Sequence, residues 1–91
     1  MYSIKQYSYD QAKKLGVEIK PSTVKGKKID VFKGGVKIAS IGAIGYSDYP
    51  TYLREKGKIY ANKRRELYKN RHKSDRKVQN SAGFYADRIL W

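Results

Sequence analysis

Apolar and polar residues alternate most clearly in KIDVFKGGVKIASI, residues 28–41, where two runs rich in β-branched side chains flank Gly34-Gly35. Period-two alternation around paired glycines predicts a β-hairpin with a two-residue turn, because glycine supplies the positive φ angles that turn needs. If Lys33 pairs with Val36, a regular hairpin sets Ile29, Val31, Val36 and Ile38 on one face. Lys28, Asp30, Phe32, Lys37, Ala39 and Ile41 then share the other. The first face is expected to be core, the second mixed. VEIKPS, residues 17–22, also alternates but runs into Pro21, which predicts a short extended or edge segment.

The helical signals lie on either side. Ser8 and Gln11 have capping-box spacing, so a short helix is expected over Tyr9–Leu15, closed by Gly16. Ser47 and Asp48 are capping candidates ahead of Pro50, a residue tolerated in a first helical turn. Helix should follow, weakened or kinked at Gly57, and then run unbroken from Lys58 to about Lys73. At 100° per residue one stripe of it holds Leu53, Tyr60, Ala61, Leu67 and Tyr68, with Arg64 and Arg71 inside the stripe. Lys58, Arg65, Lys69, His72 and Lys73 gather on the far side. SDRKVQN, 74–80, reads as a polar loop, and Ser81 caps a last, mostly apolar helix expected to dock into the core and tie down Trp91. The fold class expected is α+β in one domain, 1–91: a hairpin, with or without a third short strand, packed by a long basic helix and two short ones.

Composition narrows the chemistry. The chain has 91 residues, a size at which the core is thin. It has nine tyrosines, so much of its apolar material carries a hydroxyl that needs water or a partner. No cysteine is present, which removes disulfides and thiolate metal sites and suits a reducing compartment. His72 is the one histidine and the acids are scattered, so neither a metal nor a cofactor is expected. No window approaches the ~18 apolar residues of a membrane span.

Charge is the strongest signal: 21 Lys and Arg against 8 Asp and Glu, a net +13. Arg54 to Lys77 alone carries eleven basic and three acidic residues, net +8. Such a concentration attracts polyanions, and on a helix Lys58, Arg65, Lys69 and Lys73 form a ridge suited to backbone phosphates. With His72, Arg76 and Lys77 they make the expected nucleic-acid-binding set. Arg64 and Arg71 point with the apolar stripe, where a structural role facing Asp48 or Asp87 is the stronger reading and a phosphate clamp the weaker.

GAIGYSDYPTY, 42–52, lacks the lysine and hydroxyl of a phosphate-cradling loop and does not continue into a dinucleotide fingerprint. It reads as a stiff joint in which Tyr46, Tyr49 and Tyr52 wrap the turn, with base stacking or a protein interface as their candidate function. RELYKNRH places His72 near Tyr68, but nothing at fixed spacing supplies an oxyanion hole or a metal, so no enzyme is expected.

Three blocks carry a resemblance: KIDVFKGGVKIASIGAIGYSDYPTYL, RRELYKNRH and SAGFYADRILW, which together fall within residues 28–91. In order and spacing they resemble a group of small, basic, uncharacterised proteins of large DNA viruses of eukaryotes. The resemblance implies a viral protein found in the virion or the infected host cell, lying on packaged DNA or cementing the capsid. The function expected is binding of nucleic acid, DNA first, through phosphates and with low sequence specificity. The alternative is a minor capsid or other structural module that meets acidic protein surfaces.

Overall fold

The computed structural model describes residues 2–79 and 81–91. The fold is α+β, a three-stranded antiparallel sheet with four helices. The elements run α1 (Gln6–Leu15), β1 (Glu18–Pro21), β2 (Lys27–Lys33), β3 (Val36–Ala43), α2 (Tyr49–Lys56), α3 (Lys58–Arg71), a 3-10 turn (Asp75–Lys77) and α4 (Ala82–Ile89). The sheet order is β1-β2-β3, so the strand ending in Pro21 is indeed an edge. Of the expected polar loop, Asn80 lies outside the described residues.

The hairpin forms with Lys33 opposite Val36 and positive φ at Gly34 and Gly35. Its register then departs from regular alternation. A β-bulge at Val31/Phe32 puts Phe32 opposite Lys37 but Val31 opposite Ala39, leaving Ile38 as the extra residue. Every later β3 residue changes face. Ile41 therefore pairs with Ile29 in the core and Ile38, expected inside, is 37% exposed; Val36, also expected inside, precedes the bulge and is 64% exposed beside the turn. The bulge also brings Ser40 opposite Asp30, to whose carboxylate its hydroxyl donates at 2.7 Å. Without it, Ser40 would face the core and Ile41 would turn away.

Ile19, Ile29, Val31 and Ile41 of the sheet pack with Ala12 of α1 and with Phe84, Tyr85, Ile89 and Leu90 at the C-terminal end. That end docks as expected, with Ile89 and Leu90 wholly buried. A buried helix C-terminus must find donors for its last carbonyls. Here Gln11 Nε2 donates to Arg88 O at 3.1 Å, Ser8 Oγ to Ile89 O at 2.9 Å and the Tyr49 amide to Leu90 O at 2.9 Å. Ser8 is thus not the cap of its own helix, which begins earlier, at Gln6, with Lys5 at the N-cap. It is a buried side chain inside α1 that closes α4 instead.

The kink allowed at Gly57 is a full break, with α2 ending just before it and α3 starting just after. Its φ of 91° and ψ of 170° lie in a region that only glycine enters readily. At the other end of α2, Asp48 is the N-cap, accepting from the Thr51 amide at 3.0 Å.

Candidate functional site: a cationic, aromatic cleft beside α3

α3 turns inward a face that shares Ala61 and Tyr68 with the one its periodicity predicts but is rotated away from Tyr60 and Leu67. Ala61 and Tyr68 are buried, but Tyr60 and Leu67 are 43% and 47% exposed. The inward stripe instead includes Arg65 and His72, each half-buried. Arg65 lays its guanidinium 3.4 Å from the centroid of the Tyr49 ring and donates to Tyr7 Oη at 3.1 Å. Lys69 donates to the buried carboxylate of Asp87 at 2.7 Å, and Arg88 and Arg76 reach the same group at 3.3 and 4.0 Å. The expected far-side ridge is therefore divided. Arg65, Lys69 and Arg76 are drawn inward by Tyr49 and Asp87, whereas Lys58, Lys73 and Lys77 stay exposed.

The three loop tyrosines also separate. Tyr46 is 76% exposed and Tyr52 half-buried, but Tyr49 is 6% exposed, its hydroxyl donating to Asn62 at 2.9 Å. Tyr49 is thus no platform for a base. Its ring is the floor on which Arg65 rests.

Asp48 and Asp87 are indeed the carboxylates that organise this region, although their partners are not Arg64 and Arg71. Asp48, 1% exposed, accepts from Lys28 Nζ at 2.9 Å and from Tyr2 Oη at 2.6 Å. Lys28 is itself 5% exposed and also donates to the Tyr46 carbonyl. Burial would raise the Asp48 carboxyl, but the Thr51 side chain, the Tyr2 hydroxyl and the Lys28 ammonium together hold it below the ordinary 3.8. Tyr2 is pushed the other way, by burial and by the Asp48 carboxylate that accepts from it. No sequence pattern announced Lys28, because alternation places it on a mixed face among other lysines.

Gly42 is what lets these groups meet. It lies between the Lys27–Ala43 and Ile29–Ile41 pairs, hence opposite Lys28, with φ of 77°. A Cβ there would come within 2.7 Å of Leu90 Cδ1 and 2.9 Å of Lys28 Cδ. The GAIG loop is a joint, and its first glycine is where the chain crosses the buried lysine and the C-terminal core.

Beside the joint opens a cleft of about 570 Å³, within the size range of small-molecule sites. The 42–48 loop contributes Ala43, Tyr46 and Ser47; α3 and its end contribute Arg64, Tyr68, Arg71 and His72; the C-terminus contributes Trp91. Tyr68 and Trp91 stack at 4.5 Å with planes 9° apart, His72 lies 4.5 Å from Tyr68, and Tyr52 tilts against Trp91 at 6.1 Å. Arg64 sits 5.5 Å over the Tyr52 ring. Lining charges are Lys28, Arg64 and Arg71 against Asp48, which Lys28 neutralises. The uncompensated charge is that of the two arginines. Among the described residues no group of three or more His, Cys, Asp or Glu is placed to hold a metal ion, and no helix is long and apolar enough to cross a membrane.

Residues 17–51 match the model of a family of unknown function (DUF5754), a segment that covers the sheet, the joint and the first residues of α2 and leaves α3 and α4 outside. No curated protein and no solved structure matches the chain.

Proposed function

We propose that the protein binds nucleic acid through its phosphate backbone, with low sequence specificity and without enzymatic activity. The observation that carries this reading is the state of the cations on and after α3. Lys58, Lys63, Arg71, Lys73 and Lys77 are exposed, and among the described residues none has a carboxylate within 4.0 Å. A helix face that merely needed solubility would pair such charges with acids at i and i+4. Here the open cations lie on or just after a helix that Arg65 and Lys69 hold to the body. The open set therefore sits on a fixed frame, suited to tracking phosphates and releasing their counterions. Double-stranded DNA is the first partner to test, and the viral resemblance makes packaged DNA its natural source.

A second reading, a minor capsid or other structural module, draws on different residues. Ile59 is 89% exposed, with Leu67 and Tyr46 also open, and apolar and tyrosine side chains of this kind suit a protein interface.

Fluorescence anisotropy with labelled random-sequence duplex and single strands, at about 50 to 300 mM salt, tests both. Nucleic-acid binding predicts a steep salt slope that flattens by about 0.9 for each phosphate no longer neutralised. Lys63→Ala with Lys73→Ala should flatten it by about twice that amount with the fold unchanged. No binding at the lowest salt would refute the reading and favour a protein partner.

A further inference from the structure

The open lysines account for phosphate binding along α3, but not for the cleft, whose lining combines a run of aromatic rings with two arginines. We propose that this cleft takes a single nucleotide unit, its base against Trp91 and Tyr46 and its phosphate between Arg64 and Arg71. The proposal deepens the nucleic-acid reading and rests on it for the natural source of the ligand, a strand end or unpaired nucleotide.

Three features carry it. The first is composition. Rings already stacked in order, Tyr68 on Trp91, continue naturally into a further flat aromatic group, and base–aromatic stacking is worth about 1–3 kcal/mol per base with little sequence preference. Tyr46 at the rim is 76% exposed and Trp91 is partly exposed, so a base entering the cleft meets Tyr46 first and the accessible part of the Trp91 ring behind it.

The second feature is charge. Among the described residues the one acid in the lining, Asp48, is occupied by Lys28, Tyr2 and the Thr51 amide, so it repels an incoming anion weakly. Arg64 and Arg71 stand seven residues apart on one helix, about 10 Å along its axis, with Tyr68 between them in the chain. Planar guanidinium groups in that position hold phosphate oxygens by paired hydrogen bonds, which lysine cannot do.

The third is rigidity. One wall is anchored by the buried Lys28–Asp48 pair and by Gly42, the other by Arg65 and Lys69 on the body. Ordering this cleft on binding costs little, so contact energy appears as affinity.

The test uses a property of the chain itself. Trp91 is its single tryptophan and lines the cleft, so fluorescence excited at the red edge, where the nine tyrosines do not absorb, reports binding there. The 91-residue chain would be titrated with deoxyadenosine 5′-monophosphate, deoxyadenosine, inorganic phosphate and a 5′-phosphorylated oligothymidylate. The proposal predicts quenching by the nucleotide and the oligonucleotide, weaker quenching by the nucleoside and none by phosphate alone. Arg71→Ala, an exposed position, should weaken nucleotide binding about tenfold or more, with the melting temperature unchanged. Tyr46→Ala should weaken the nucleotide and leave phosphate competition as it was.

The arms separate the two readings. No quenching by any nucleotide, alongside salt-dependent duplex binding by anisotropy, overturns the cleft and leaves the α3 lysines standing. Quenching by the free mononucleotide without binding of any strand upholds the cleft, identifies the ligand as a free nucleotide and refutes nucleic acid as partner. Inorganic phosphate competing as well as the nucleotide would overturn the base-stacking half and reduce the cleft to an anion site.

Discussion

At the scale of single residues, the pair that most constrains this region is Lys28 and Asp48, both buried and only 2.9 Å apart. A buried pair adds modest stability relative to apolar replacements, yet removing one partner strands the other charge, at about 3–5 kcal/mol. Asp48→Ala should therefore cost roughly that much in urea denaturation, since it also removes the N-cap of α2. Lys28→Met added to Asp48→Ala, which removes the stranded ammonium and leaves the cap missing, should recover a large part of the loss. If the double variant were no better than Asp48→Ala, the missing cap and not the stranded ammonium would be the cause. Such pairs are hard to read in the sequence. Asp48 was legible as a cap because caps obey local spacing, but its partners Lys28 and Tyr2 lie 20 and 46 residues away and no local rule links them. Ser8 shows the same limit, since a hydroxyl with cap spacing serves a carbonyl 81 residues away.

At the scale of elements, the hairpin was legible to its turn and to its first pair, Lys33 with Val36, because turn chemistry is local. Which face of β3 turned inward was not, because one inserted residue reverses every side chain beyond it. The bulge makes a direct prediction. Ile38→Lys should be nearly neutral, within about 0.5 kcal/mol as for an exposed position, whereas Ile41→Ala should cost about 2–4 kcal/mol. Chemical denaturation of the two variants decides it, and the reverse order would restore the regular register. The inward face of α3 was misread for a related reason. Periodicity ranks positions by apolarity, but here an arginine over Tyr49 and a lysine on Asp87 are bound more closely than Tyr60 or Leu67. Arg76 had no local signal either; it joins Asp87 through the turn after α3.

At the scale of the whole molecule, the cleft joins Lys28 and Tyr52 with residues 42–48, 64–72 and 86–91, which no sequence spacing could bring together. The net charge of +13, by contrast, was legible at once, and it shapes stability as well as binding. Asp30 and Asp48 stand against that field. Burial would raise the Asp30 carboxyl, but hydroxyl donors Ser22 and Ser40, the Thr23 amide and nearby Lys37 hold it below 3.8, as the Thr51 side chain, Tyr2 and Lys28 do for Asp48. Both carboxylates take up protons less readily folded than unfolded, so each contributes stability above the ordinary value of 3.8 and loses it as pH falls through its lower folded value. Melting temperature, followed from about pH 6 to about pH 2 at fixed ionic strength, should hold steady and then fall steeply below the ordinary aspartate range. General repulsion among the cations would also deepen on acidification, and a variant separates the two causes. Asp30→Asn should melt lower than the natural protein near pH 6 but decline less on acidification, because one of the two protonation events has been removed. Parallel curves would assign the acid loss to net charge, and added salt, which screens exposed charges far more than buried pairs, should then remove most of it.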